Sequence, residues 1–216
     1  MTKDKLTILI TAGPTREAID PVRFLSNKSS GKMGYALAEA ATEAGHRVIL
    51  ISGPTQLDLP DRVDFIPVES AADMYDAVEY WIGKADIAIF AAAVADYRPV
   101  SVPDHKIKKT SDTMTLELVK NPDILGSVRS SFHFQGVLIG FAAETENLED
   151  NARGKLERKE CDLIVANDVS RTDIGFNTYK NEVLLVFPDR TEKPPKDSKH
   201  HLAHVILDKA IDLQAP

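Results

Sequence analysis

The sequence predicts an α/β fold: a mostly parallel, doubly wound sheet with helices on both faces. Three observations carry that prediction. Short apolar runs of strand length alternate along the chain with helical patterns. Two of these runs, RVILIS at 47–52 and ADIAIFAAA at 85–93, are nearly continuously apolar, as strands covered on both faces are. Three long polar connections follow strands, at the sheet end where open α/β folds bind ligands.

The first strand is LTILIT, 6–11, and the first helix covers about 32–45, ending at Gly45. Between them lies the run GPTREAIDPVRFLSNKSSGKMG, 13–34. A strand-to-helix turn in a nucleotide-binding βαβ unit is normally a few residues long. This connection has about twenty, with two arginines, two lysines, an asparagine and the hydroxyls of Thr15, Ser26, Ser29 and Ser30. Long ordered loops of this kind are usually functional, which makes it the prime candidate for the active site.

The strand at 47–52 leads through Ser52-Gly53-Pro54-Thr55 to a third strand at 63–68. Residues 70–83 read as a helix capped by Ser70 with Asp73 three positions on, and Met74, Ala77, Val78, Trp81 and Ile82 form its core stripe. A strand at 86–92 runs into the second long connection, 91–113, which is basic and punctuated by proline. Residues 114–119 alternate like an exposed strand, and Asn121-Pro122-Asp123 opens a helix with proline at or near its first turn. Strand 137–141, a charged helix over about 146–160 and strand 162–166 follow. A third long loop, 167–182, precedes a strand at 182–187 and a terminal helix over about 198–213. No internal repeat interrupts this order. It predicts one domain over 1–216, Rossmann-like, with long active-site loops beyond the carboxyl ends of the strands.

Composition narrows the function classes. The 216 residues are 43% hydrophobic and 27% charged, as in ordinary globular proteins. A net charge of −7 argues against nucleic acid as the main partner, although a few placed lysines can still attract a small anion. No run has signal-peptide form or membrane-spanning length, and a single cysteine excludes an intrachain disulfide or a thiolate metal cluster. The expectation is a cytoplasmic protein that binds neither nucleic acid nor membrane.

Common nucleotide motifs fail. No GxGxxG turn follows the first strand, and the second strand ends on Ser52-Gly53 where an NAD enzyme presents an acid to the ribose. Gly31-Lys32 is preceded five positions earlier by Ser26 and followed by Met33, so it is no Walker loop. Ser29-Ser30-Gly31-Lys32-Met33-Gly34, at a helix start, suits an anion or a plain cap. Asp96 and the run Lys106-Ile107-Lys108-Lys109 sit on the second loop, where lysines could fold over phosphates. Lys155 and Lys159, beside Glu157 and Glu160, read on their own as surface salt-bridge formers.

Taken together and in order, GPTREAIDPVRFLSNKSSGKMG, AAAVADYRP, KIKK, LVKNPDIL, GFAAETEN and KECDLIVANDV resemble bacterial phosphopantothenoylcysteine synthetase over about residues 5–190. The resemblance implies an amide ligase of coenzyme A synthesis. Its substrates would be 4′-phosphopantothenate and L-cysteine, with CTP as co-substrate and Mg²⁺ as cofactor. CTP would activate the carboxylate as an acyl-cytidylate, and the cysteine amine would then displace CMP. In many bacteria such a domain is fused to a flavin-dependent decarboxylase that nothing in this chain resembles. A phosphopantothenoylcysteine decarboxylase is therefore an implied partner, and the chain would be a stand-alone synthetase or an excised domain.

By motif, the implied nucleotide contacts are Phe90, Ala91, Ala92, Asp96, Lys106, Pro122, Asp123, Ile124, Leu125, Phe141, Lys155 and Lys159. The implied catalytic set is Asn27, Arg23 and Lys106. Asn27 would donate to the carboxyl oxygen or the anhydride, Arg23 would grip an anion bidentately, and Lys106 would meet the triphosphate. No metal ligand is indicated. The family is dimeric, which implies a homodimer with strand 182–187 and its flanking loop as partner elements. Two other readings stay open: an NAD(P)-dependent reductase and a catalytically silent nucleotide-binding module. Cys161 reads as an inert core residue. His200, His201 and His204 include an i, i+4 pair on the terminal helix, for which the sequence indicates no third ligand.

Overall fold

Ile8 and Ile10 face one side of the sheet and Leu9 the other, and all three are fully buried. That alternation, repeated from strand to strand, divides the molecule into two layers of core. The computed structural model describes residues 5–109, 112–168 and 180–214. Its main sheet holds β1 (Thr7–Ala12), β2 (Arg47–Ser52), β3 (Val63–Pro67), β4 (Ile87–Phe90), β5 (Val137–Glu144), β6 (Leu163–Asp168), β7 (Leu184–Val186) and β8 (Thr191–Glu192). Their order across the sheet is β8-β7-β6-β5-β4-β1-β2-β3. The six strands from β6 to β3 pair in parallel, and β7 and β8 add an antiparallel edge.

Helices α1 (Lys32–Glu43) and α5 (Lys199–Gln214) cover the Ile8 face. Helices α2 (Ala71–Ile82), α3 (Ile124–Ser130) and α4 (Leu148–Lys159) cover the Leu9 face. The chain winds outward from β1 to β3 and then returns through α2 to β4 on the other side of β1. The switch point therefore lies between the carboxyl ends of β1 and β4, where a crevice opens by topology.

Local chemistry sets the helix ends. Ser70 accepts from Asp73 N–H at 3.1 Å while the Asp73 carboxylate accepts from Ser70 N–H at 2.8 Å, the capping box expected from the sequence. Gly34 lets α1 lie against β1, since a Cβ there would come within 2.5 Å of the Ala12 Cβ. No buried polar side-chain atom among the described residues lacks a partner.

Several boundaries differ from the sequence prediction. The strand expected at 86–92 ends at Phe90, because the chain there leaves the ladder and joins the first long loop. Ala93 N–H donates to the Gly13 carbonyl at 2.9 Å, and Thr15 N–H to the Ala93 carbonyl at 3.3 Å. The strand expected at 114–119 is reduced to Leu118–Lys120, which forms an antiparallel ribbon with Tyr97–Pro99. Pro122 lies outside α3, whose N-cap is Asp123. A second ribbon, Arg16–Ala18 with Phe24–Ser26, folds the first long loop back on itself.

Strand 182–187, expected as a partner element, is an interior strand of this chain's own sheet. β7 runs inside the sheet between β6 and β8, and Val183, Leu185, Val186 and Phe187 are all buried. Most of its flanking loop, 169–179, lies outside the described residues.

Candidate active site

The switch-point crevice is a cavity of about 580 Å³, in the range of small-molecule sites. Its floor is the strand end Phe90-Ala91-Ala92, where the two alanines let a ligand approach the backbone. One wall is residues 27–34, the end of the first long loop and the start of α1. Gly31 caps α1 in a left-handed conformation (φ 77°) and offers no side-chain cap, so the helix start itself borders the cavity. Backbone N–H groups and the helix dipole at such an end favour an anion.

Cross-links between loops hold these walls in place. The buried Thr15 accepts from Ala95 N–H at 2.9 Å through its hydroxyl, and Ser26 donates to the Thr15 carbonyl at 2.8 Å. Asn121, also buried, donates to the Ala95 carbonyl at 2.8 Å and accepts from Arg98 at 3.0 Å. Three segments distant in sequence thus form one rigid rim.

The cavity is cationic although the protein is acidic. Lys28, Lys32, Lys120, Lys155, Lys159 and Lys199 line it, against the carboxylates of Asp96 and Asp123 alone among the described residues. Lys155 donates to the Phe141 carbonyl at 2.7 Å, and burial pushes its ammonium below the usual lysine range. Lys159 is paired with Asp123. Burial would raise the Asp123 carboxyl, but the Lys159 ammonium and Gly126 N–H overcome it and hold the group low. Both lysines face the cavity instead of Glu157 and Glu160, so the surface reading of these residues on their own is corrected. The packing of α4 on β5 decides their direction.

Lys199, only 8% exposed, is the strongest feature that sequence reasoning missed. Burial, with Lys32 nearby, lowers its ammonium to about 8. Nothing local marks it, since it stands at the start of a helix expected only to pack. Asn167 and Asn181, on either side of the third loop, also line the cavity.

Of the residues expected from sequence, Asn27, Phe90, Ala91, Ala92, Asp96, Pro122, Asp123, Ile124, Leu125, Phe141, Lys155 and Lys159 all meet at this cavity. Arg23 and Lys106 are not among its lining residues. Arg23 holds Asp20 through Nε at 3.0 Å and donates to the Ile107 carbonyl at 3.2 Å, while Ile107 N–H donates to Asp20 at 3.1 Å. The Arg23 guanidinium keeps the buried Asp20 carboxyl well below the usual range. Its guanidinium therefore falls on an internal carboxylate, two of its nitrogens donating to Asp20 Oδ2, and the node fixes the backbone beside the exposed Lys106. Asn27 also differs from its expected role as a donor. Its amide nitrogen donates to the carbonyls of Ala93 at 3.1 Å and Val94 at 3.0 Å, so the group left for a ligand is an acceptor.

Cys161 is 5% exposed, and burial raises its thiol to about 12, consistent with an inert core residue. Among the described residues, no helix is long and apolar enough to cross a membrane.

The strand order and the lysine-lined cavity at the switch point define a Rossmann-like protein. Residues 3–213 match the family model of the DNA/pantothenate metabolism flavoprotein C-terminal domain, and the chain belongs to that family. Among its relatives is the coenzyme A biosynthesis bifunctional protein CoaBC of Bacillus subtilis (strain 168), 56% identical over 208 residues, which cover 95% of this chain and 51% of that protein. The protein of the same name in Vibrio vulnificus (strain YJ016) is 52% identical over 203 residues, covering 93% and 51%. The crystal structure of the C-terminal domain of a CoaBC protein superposes with a TM-score of 0.83 at 42% identity, covering 99% of this chain and 98% of that one. The chain thus spans about half the length of the curated relatives it matches.

Proposed function

We propose that this chain joins 4′-phosphopantothenate to L-cysteine through an amide bond, with CTP activating the carboxylate. The observation that carries the reading is the meeting of twelve motif residues, Asn27 and eleven of the implied nucleotide contacts, in one lysine-lined cavity. Membership of a family whose relatives are named for coenzyme A biosynthesis supports it. A carboxylate is a poor electrophile because its leaving group would be oxide. In the first step a carboxylate oxygen bonds to the α-phosphorus of CTP as the bond to pyrophosphate breaks, leaving an acyl-cytidylate. In the second, the cysteine nitrogen bonds to the acyl carbon, the bond to CMP breaks and the amine loses a proton.

The side chains suit those demands. The lysines neutralise phosphate charge in a site made before the substrates arrive, which is the main source of catalysis in such displacements. The strand end at Phe90-Ala91-Ala92 and the start of α3 would hold the nucleoside. Asn27 Oδ1, an acceptor, suits the incoming amine better than the carboxyl oxygen. Mg²⁺ is held by one or two carboxylates together with phosphate oxygens. Asp96 fits that description, since its carboxylate has no side-chain bond among the described residues, whereas Asp123 is held by Lys159 and Gly126. When bound, Mg²⁺ would offset the negative charge of the phosphate groups.

The reading extends to a homodimer, a cytoplasmic setting and a phosphopantothenoylcysteine decarboxylase acting on the product. For the dimer, the two ribbons and the chain beside them offer exposed apolar side chains. Val22, Phe24, Val100, Val102, Leu118 and Val119 are 40–61% exposed there. The deciding experiment measures pyrophosphate release with 4′-phosphopantothenate and Mg²⁺, comparing CTP with ATP and adding or omitting cysteine. Release with CTP, sustained only when cysteine is present, is the expected result. Release with ATP alone would overturn the nucleotide assignment, and release with neither would overturn the ligase.

A further inference from the structure

Away from the cavity, a second constellation stands where α1 and α5 pack together. The last residue of α1, Glu43, reaches the first turns of α5. Its Oε2 lies 3.1 Å from His204 Nε2 and 3.6 Å from His200 Nε2. The two imidazoles stand one helical turn apart on the same face, with ring centroids 4.8 Å from each other and planes at 62°. The three ligand atoms all lie within 4.8 Å of one another, and none of the three residues lines the cavity.

We propose that Glu43, His200 and His204 bind a divalent transition-metal ion of the Zn²⁺ type. An ion about 2.0–2.2 Å from each ligand in tetrahedral geometry needs donor atoms roughly 3.4 Å apart. The two carboxylate–imidazole separations bracket that value. Two histidines spaced i, i+4 on a helix present their nitrogens to one ion with little rearrangement, as in helical zinc motifs. One carboxylate and two neutral imidazoles favour zinc and its transition-metal neighbours over Mg²⁺, which prefers oxygen. Exposure of the trio leaves the fourth position to water. His201 is turned to the other flank, 3.9 Å from Asp197, and is not a ligand.

The ion would tie the end of α1 to the start of α5, the two helices that carry Lys32 and Lys199 into the cavity. As ion pairs alone, three exposed side chains would add little to stability. With the ion bound they become a clamp that only the folded chain can form, and stability then rises with ion concentration. The inference is independent of the ligase reading.

The test uses the untagged full chain, stripped with a chelator and titrated with ZnCl₂ by calorimetry, with Co²⁺ absorption as a reporter of ligand geometry. One saturable site per chain, at micromolar affinity, and a rise in melting temperature with Zn²⁺ are expected. His200→Ala, His204→Ala and Glu43→Gln should each weaken binding by roughly tenfold or more. All three side chains are at least one-third exposed, so the variants should fold, which far-ultraviolet dichroism checks. Absence of saturable binding below about 1 mM would overturn the proposal. So would unchanged affinity in the double histidine variant, which would place the ion elsewhere.

Discussion

Asn27 and Lys199 show how single side chains take their meaning from what they touch. Both Asn27 amide hydrogens are engaged by Ala93 and Val94 carbonyls. Asn27→Asp replaces the donor with a carboxylate oxygen facing two carbonyl oxygens, and it also puts a charge where the amine must approach. We expect cysteine coupling to slow by on the order of 10²-fold while acyl-cytidylate formation is less affected. Rapid-quench analysis should then find the acyl-cytidylate accumulating, and coupling at the wild-type rate would refute the role. Lys199 makes a prediction about protons. Its folded value of about 8 lies below the unfolded lysine value, about 10.4. Between those values the unfolded chain holds a proton that the folded chain lacks. The Lys199 contribution to stability is therefore unfavourable below about pH 8 and is relieved as pH rises toward about 10.4. An anion in the cavity reverses the shift, so CTP binding near pH 8 should take up protons. Calorimetry in buffers of different ionisation enthalpy measures that uptake, and Lys199→Met should abolish most of it.

At the scale of elements, the seam between α1 and β1 decides where the cavity wall stands. A methyl at Gly34 would meet the Ala12 Cβ at 2.5 Å and the Ala12 Cα at 3.1 Å, both on a strand fixed by neighbours on each side. Gly34→Ala gains about 1 kcal/mol of helix propensity. Overpacking a rigid seam costs about 1–3 kcal/mol. The clash wins, for a net loss of about 1 kcal/mol, read as a lower urea midpoint. Moving α1 also displaces Lys32 and the helix start, so the KM for CTP should rise more than the stability loss suggests. The Asp20–Arg23–Ile107 node is a similar device: it joins two long loops and holds the backbone next to Lys106.

For the whole molecule, the open question is what covers the ribbons. Six apolar side chains on and beside them are 40–61% exposed, and a second copy of the chain is the occupant we propose. Phe24→Glu combined with Val119→Glu places charge on that face without touching the core. We expect this variant to sediment as a monomer where the parent is a dimer. An unchanged sedimentation coefficient would move the interface elsewhere. The charge distribution belongs to this scale too. A net −7 repels polyanions at long range, yet six lysines converging on one cavity create a local field of opposite sign.

The sequence by itself determined the sheet, the helices and the end of the molecule where the site lies. Apolar period, caps such as Ser70 with Asp73, and the terminator Gly45 act within a few residues of themselves, so a linear reading captures them. The motif blocks also named twelve of the residues that line the cavity. Only the tertiary structure decided which side chains meet. Lys155 and Lys159 turned from the surface to the cavity because α4 packs on β5 with that face inward. Arg23 met Asp20 in place of a ligand, and strand 182–187 vanished into the sheet. Lys199 joined Lys32 across 167 positions, and Glu43 supplied the acidic partner that His200 and His204 lack in the sequence. The physical reason is the same each time. Burial, charge pairing and metal-ligand geometry depend on distances in space, and those exist only once helices from opposite ends of the chain are packed on one sheet.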